Sequence, residues 1–161
     1  MSTTEYSGFW NINSVGLVSF IGLLFVAVYI RILLSATNQA IKAKQSEEKQ
    51  SKAKQYIALM NKGQQAYYAE WEEFSDNISD LGLGIRLETK SYSYDIRKIS
   101  SNHYVISTAT AKDKQLKSYS GIVYFDDGIT KSMICETDEP SLTAPDDFEH
   151  FDRCPSGSYE L

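Results

Sequence analysis

The 161-residue chain has little of what most enzyme chemistry requires. It holds two His and two Cys, too few to build a zinc site from several soft ligands. It has no phosphate-binding loop, no G-x-S-x-G and no H-E-x-x-H. No nucleophile, base and oxyanion donors converge, so we assign no catalytic residues, metal or cofactor and read the chain as non-enzymatic. Lys and Arg are missing from residues 1–14, where a secretory signal needs them, and no clean A-x-A site follows; both argue against a cleaved signal peptide. Charge of either sign is absent from Asn11 to Ile30. Residues 35–74 lack proline and hold one glycine, Gly63, so little there interrupts a helix.

The charge that is present is segregated. The formal total is −5, yet residues 41–62 carry +4 and residues 126–161 carry −8, with ten acids against Lys131 and Arg153. An acidic C-terminal segment does not bind nucleic acid by releasing counterions. Nothing points to a small-molecule substrate.

A mean hydropathy of −0.33 conceals one apolar run, Val15 to Ile30, which continues past Arg31 into Ile32, Leu33 and Leu34. About 20 apolar residues at 1.5 Å each span a hydrocarbon layer of roughly 30 Å. Arg31 can snorkel at one end, and Phe9 and Trp10 suit the headgroup region at the other. Residues 12–34 therefore read as a transmembrane helix, with Val15, Leu17, Phe20, Leu24, Phe25 and Ile30 as anchor residues and residues 1–11 as an N-terminal tail. The competing reading, a buried core helix, needs an unusually long element for so short a chain.

From residue 35 to 74 the helix is expected to continue. Ala53, Tyr56, Ile57, Met60, Gln64, Tyr67, Tyr68, Trp71 and Phe74 recur at three- and four-residue steps, an apolar stripe that should face a core. Ser75-Asp76-Asn77 offers a cap for a short turn over Ile78–Leu83, and Gly82 and Gly84 end it. From Tyr92 the period becomes two. Four strands are expected, over Tyr92–Ile96, Tyr104–Thr110, Tyr119–Phe125 and Ile129–Cys135, with Asp126-Asp127-Gly128 as a hairpin turn. The helix stripe is the natural cover for one face of this meander. Residues 136–154 read as an extended acidic loop within a globular domain of residues 75–161. Cys135 and Cys154 bracket this loop. A bridge would enclose about 20 residues and contribute roughly 3 kcal/mol; a reducing compartment would instead leave two buried thiols.

This layout resembles the type IV pilin superfamily. Asn38-Gln39, Lys42-Ala43-Lys44-Gln45-Ser46-Glu47, Ala53-Lys54-Gln55-Tyr56, Gly63-Gln64-Gln65-Ala66-Tyr67-Tyr68, Leu81-Gly82-Leu83-Gly84-Ile85, Ile134-Cys135-Glu136 and Cys154-Pro155-Ser156-Gly157-Ser158 resemble the G/H-type pilin-like proteins of photosynthetic bacteria. The resemblance implies an α+β, pilin-like fold: a long N-terminal helix, membrane-spanning and then amphipathic, on a four-stranded antiparallel sheet with a disulfide-closed C-terminal loop. It implies a structural subunit, a minor pilin or pseudopilin, in a bacterial membrane. Its partners would be the lipid bilayer and other membrane or pilin-like subunits packed on the N-terminal helix.

The N-terminus departs from the family pattern. Ser7-Gly8-Phe9 fits the prepilin cut between Gly8 and Phe9, but Asn13 stands where the mature family carries Glu, and Met1–Gly8 holds Glu5 and no base. These residues favour an uncleaved anchor, and with it a pilin-like domain serving as an accessory module of another membrane complex. Lysines follow the apolar run, which by the positive-inside rule keeps the domain in the cytoplasm; the family pattern and the Cys pair favour the outside. Long domains translocate largely regardless of charge, so we expect the outside.

Three weaker signals remain. His150 with Asp146, Asp147, Glu149 and Asp152 reads better as a solvated acidic loop than as a calcium site, which needs six to eight placed oxygens. The lysines from Lys42 to Lys54 are interrupted by Glu47 and Glu48 and read as a solvated helix face. Asn77-Ile78-Ser79 matches a three-residue glycosylation sequon.

Overall fold

The computed structural model describes residues 14–98 and 103–161. The Gly8–Phe9 junction, Asn13 and the turn at residues 100–102 lie outside the described residues, as do the side chains of Val15, Leu17 and Phe20. Helix α1 is Ser14–Trp71. The chain divides into two compact units, Met1–Ala43 and Lys44–Leu161.

In the first unit the described part is helix. From Leu23 on, its apolar side chains, Leu24, Phe25 and Ile30 among them, are exposed.

The second unit begins with helix from Lys44 to Trp71. A single 3-10 turn follows, Ile78–Leu81, then strands β1 (Tyr92–Lys98), β2 (Tyr104–Ala111), β3 (Tyr119–Asp126), β4 (Ile129–Thr137) and β5 (Ser158–Glu160). They form one sheet in chain order, each antiparallel to the last. The expected four strands are therefore five. β5 is three residues long, too short to show an alternation of its own, and it exists because it pairs with Cys135–Thr137 of β4.

The helix stripe covers one face. Ala53, Ile57 and Met60 are fully buried against Tyr92, Tyr94 and Ile96 of β1, Val105 and Ala109 of β2, and Tyr119 and Val123 of β3. Gly121 lies between Tyr119 and Val123 on this face, and there the helix comes closest: Asn61 and Ile57 occupy the space a side chain would need. The opposite face is also covered, which alternation alone did not indicate. Ile106, Ile122, Met133 and Cys135 form a second core beneath Phe148, and the Phe151 ring lies against Tyr104 and Tyr124 at 4.6 and 5.7 Å.

The turns follow their chemistry. Asp127 and Gly128 both have positive φ, 49° and 84°, the signature of the tight hairpin that Asp-Gly favours. Asn77 Oδ1 accepts the Ser79 N–H at 3.0 Å and caps the 3-10 turn. The helix ends three residues before Phe74. Glu72 turns into the left-handed region, φ 57°, so Phe74 folds back, fully buried, onto Tyr68 at 4.6 Å. Gln64 fixes this reversal with both ends of its amide, accepting from Ser75 N–H at 3.0 Å and donating to Ser75 C=O at 2.8 Å.

Candidate functional site

Trp71 was expected in the core with the rest of the stripe, and the structure corrects this. It is 60% exposed, because the left-handed residue that follows brings Phe74 into the place a further helical turn would have given to an aromatic. Tyr67 is half-buried and lies 6.2 Å from the Trp71 ring. Tyr56 and Tyr68 do pack on the core, Tyr56 against Tyr94 at 5.0 Å and Tyr68 against Phe125 at 5.1 Å.

Among its described residues the first unit presents an apolar surface over residues 23–34, broken by Arg31. Among the described residues Gly22–Trp71 holds a stretch long and apolar enough to cross a membrane, none of it buried. Leu24 and Phe25, two of the expected anchor residues, are 65% and 71% exposed.

A polar constellation in the second unit centres on Glu136, which sequence reasoning did not single out. Its carboxylate is 8% exposed at the end of β4. Lys117 Nζ donates to Oε1 at 2.9 Å, the Tyr159 hydroxyl of β5 donates to the same oxygen, and Lys54 Nζ of the helix lies 3.5 Å from Oε2. Burial pushes this carboxyl up, but the hydrogen bonds from Tyr159 and Lys117 and the charges of Lys117 and Lys54 outweigh it, and its pKa is held below the ordinary glutamate value. The hydrogen bond to Glu136 raises Lys117 in turn. Beside them, Gln50 Oε1 accepts from the Lys117 N–H at 3.2 Å and from the Tyr119 hydroxyl at 3.3 Å. Burial first, and the Glu136 charge second, push Tyr119 well above the usual tyrosine range. One carboxylate is thus shared by two lysines and a tyrosine hydroxyl. It ties the helix, the β2–β3 connection, β4 and β5 together.

Cys135 and Cys154 are joined by a disulfide with Cα atoms 5.7 Å apart. Cys135 is buried beneath the loop, and Cys154 Sγ lies 3.8 Å from Met133 Sδ. The acidic loop is held by particular contacts: Ser120 Oγ donates to the Pro145 carbonyl at 2.6 Å, and Arg97 reaches the Asp146 carboxylate at 3.2 Å. Asp147, Glu149, His150 and Arg153 line an open hollow of about 340 Å³. Among the described residues no three His, Cys, Asp or Glu side chains gather as metal ligands. Lys44, Lys49 and Lys52 are exposed, and Lys52 sits 5.7 Å above the Tyr56 ring.

No curated protein and no solved structure matches the chain. Residues 50–155 match the family described as type IV pilin-like G and H, a span that takes in Gln50, the packed helix stripe, the four long strands and both cysteines. The helix-on-sheet architecture and the disulfide loop thus fall inside the matched residues, and the chain belongs to the type IV pilin-like G and H family.

Proposed function

We propose that the chain is a membrane-anchored, non-enzymatic structural subunit of the minor pilin or pseudopilin type, acting through helix packing and protein contacts. The observation that carries this reading is the exposure of the helix over Leu23–Leu34. Nine Leu, Ile, Val and Phe side chains and Tyr29 stand uncovered there. Burial of such side chains stabilises by about 1.5–3 kcal/mol each, so leaving nine in water forgoes roughly 15–25 kcal/mol. That exceeds the whole stability of a typical domain. A bilayer, with neighbouring helices inside it, supplies the missing cover. The disulfide supports placing the globular unit outside the cytoplasm. Residues 12–34 would then be the span, residues 35–74 its continuation and residues 75–161 the exposed module. Asn13 supports a minor rather than a bulk role: a neutral amide offers a neighbouring subunit only a hydrogen bond, worth below about 1 kcal/mol on average in membranes.

Asn13 and Glu5 also favour a second reading, an uncleaved single-pass protein whose pilin-like domain serves another membrane complex. The intact mass and N-terminal sequence of the chain purified from its native membrane separate the two. A start at Phe9, above all a methylated one, supports the pilus or pseudopilus subunit. An intact Gly8–Phe9 bond supports the accessory module. Recovery of the chain from the soluble fraction would refute both.

A further inference from the structure

β5 covers only the end of β4. Pairing runs from Thr137↔Ser158 to Cys135↔Glu160, with one further bond from the Leu161 N–H to the Ile134 carbonyl. In an antiparallel ladder the backbone groups of alternate residues point to the same side. Ile134 faces the β5 side, so Ser132 and Thr130 face it too. Among the described residues no strand pairs with that edge between Ile129 and Met133. The Thr130 carbonyl is met by a helix side chain, the Gln65 amide at 3.2 Å. The Thr130 N–H and both backbone groups of Ser132 have no strand to pair with. Beside this edge runs an open groove of about 710 Å³, walled by Tyr68 and Ala69 of the helix and by Phe125 and Ile129 of the hairpin, with Glu72 as its one charged lining residue.

We propose that this edge and groove bind an extended peptide segment of a partner protein, added antiparallel to β4 in line with β5. The chemistry of the edge selects the occupant. A row of in-plane N–H and C=O groups is satisfied by another backbone in the extended form. The Tyr68, Ala69 and Phe125 wall on the helix face takes apolar side chains at alternate positions. Glu72 takes a Lys or Arg at the end nearest the helix terminus. The partner segment is thus about five residues, alternately apolar and basic at one end. This inference concerns the globular unit alone and stands whether or not the N-terminus is processed.

The test uses the full chain in detergent micelles and a seven-residue synthetic peptide, alternating Val and Thr with Lys at both ends. Saturable binding is expected, with slowed hydrogen exchange at the Ser132 and Thr130 amides. Ser132→Pro removes the N–H that points away from β3, a position where a strand tolerates proline; its melting temperature should stay within about 3 °C of the parent while affinity falls at least tenfold. Ala69→Lys, on the exposed helix side of the groove, should weaken binding severalfold with the exchange pattern of the unliganded edge unchanged. Absence of protection at Ser132 and Thr130, equal binding by Ser132→Pro, or binding equally strong to empty micelles would overturn the proposal. If Ser132→Pro melts early, Ala69→Lys and the exchange pattern of the parent chain decide.

Discussion

Replacing Gly121 by alanine should create the closest clash of any described glycine in this protein. A Cβ there would stand 2.3 Å from Asn61 Oδ1, 2.8 Å from Asn61 Cγ and 2.7 Å from Ile57 Cγ2. Ordinary contacts at these atoms are about 3.4 Å or longer, so helix and sheet would have to part by nearly 1 Å. Neither neighbour can swing aside. Ile57 is fully buried, and Asn61 is held by its donation to the Met133 carbonyl at 3.1 Å. Overpacking of this kind costs typically 1–3 kcal/mol, and the upper end applies because two side chains and a hydrogen bond are displaced together. At roughly 4 °C per kcal/mol for a unit of this size, the melting temperature should fall by about 10 °C. The assay is thermal unfolding of the full chain followed by circular dichroism without reductant. Gly63→Ala is the control. Its nearest atoms are Leu81 Cβ and Leu83 Cδ1, each at 3.2 Å, and the helix gains about 1 kcal/mol from alanine, so the net change should be near zero. Asn61→Ala added to Gly121→Ala should recover part of the loss, a coupling of about 1 kcal/mol or more. A Gly121→Ala protein that melts within 2 °C of its parent would refute the claim that the helix is packed this closely on β3.

Other consequences are open to measurement. The Glu136 carboxyl titrates lower in the fold than its unfolded value near 4.3, so the stability it contributes is complete above that value and is lost as pH falls through the folded one; the melting temperature should drop below about pH 4, and Glu136→Gln should flatten that drop. At pH 7, Glu136→Ala should cost about 1.5–2 kcal/mol through the lost hydrogen bonds from Lys117 and Tyr159, readable by urea unfolding. Reduction of the Cys135–Cys154 bridge, 19 residues apart in sequence, should remove about 3 kcal/mol and make the loop around Phe148 and Phe151 a protease target. Glu72→Gly should raise stability by roughly 1 kcal/mol, because Glu72 holds a positive φ while its N–H bonds the Tyr68 carbonyl at 2.8 Å.

Where a residue type has one physical use, the fold was legible. Asp127-Gly128 turns a hairpin because both residues accept positive φ, and the three- and four-residue steps from Ala53 to Tyr68 mark a face that must be covered. Asn77 was readable as a cap for the same reason. What stayed hidden depends on distant partners. Ser158–Glu160 carries no period and becomes a strand through its neighbour β4. Phe148 and Phe151 sit among acids with no spacing to reveal that they cover the outer sheet face. Glu136 looks like any acid in an acidic segment until Lys54, Lys117 and Tyr159 converge on it from positions up to 105 residues apart in the chain. Trp71 misled because a stripe predicts burial only as long as the helix lasts.

The sheet order, each strand beside its predecessor, has a consequence for how the molecule is made. A chain emerging from its N-terminus can add every strand to an edge already present, with no need to open a gap for a latecomer. The stripe from Ala53 to Tyr68 is synthesised before anything that shelters it, so it is the segment in need of an escort until β1 to β3 arrive. Cys154 is made after Cys135, and with two cysteines in the sequence there is no competing thiol to pair with wrongly. With only one pairing open to it, the bond can close whether or not the sheet is assembled, so its formation reports an oxidising compartment, and burial of Cys135 beneath the loop is what then shelters it from reduction.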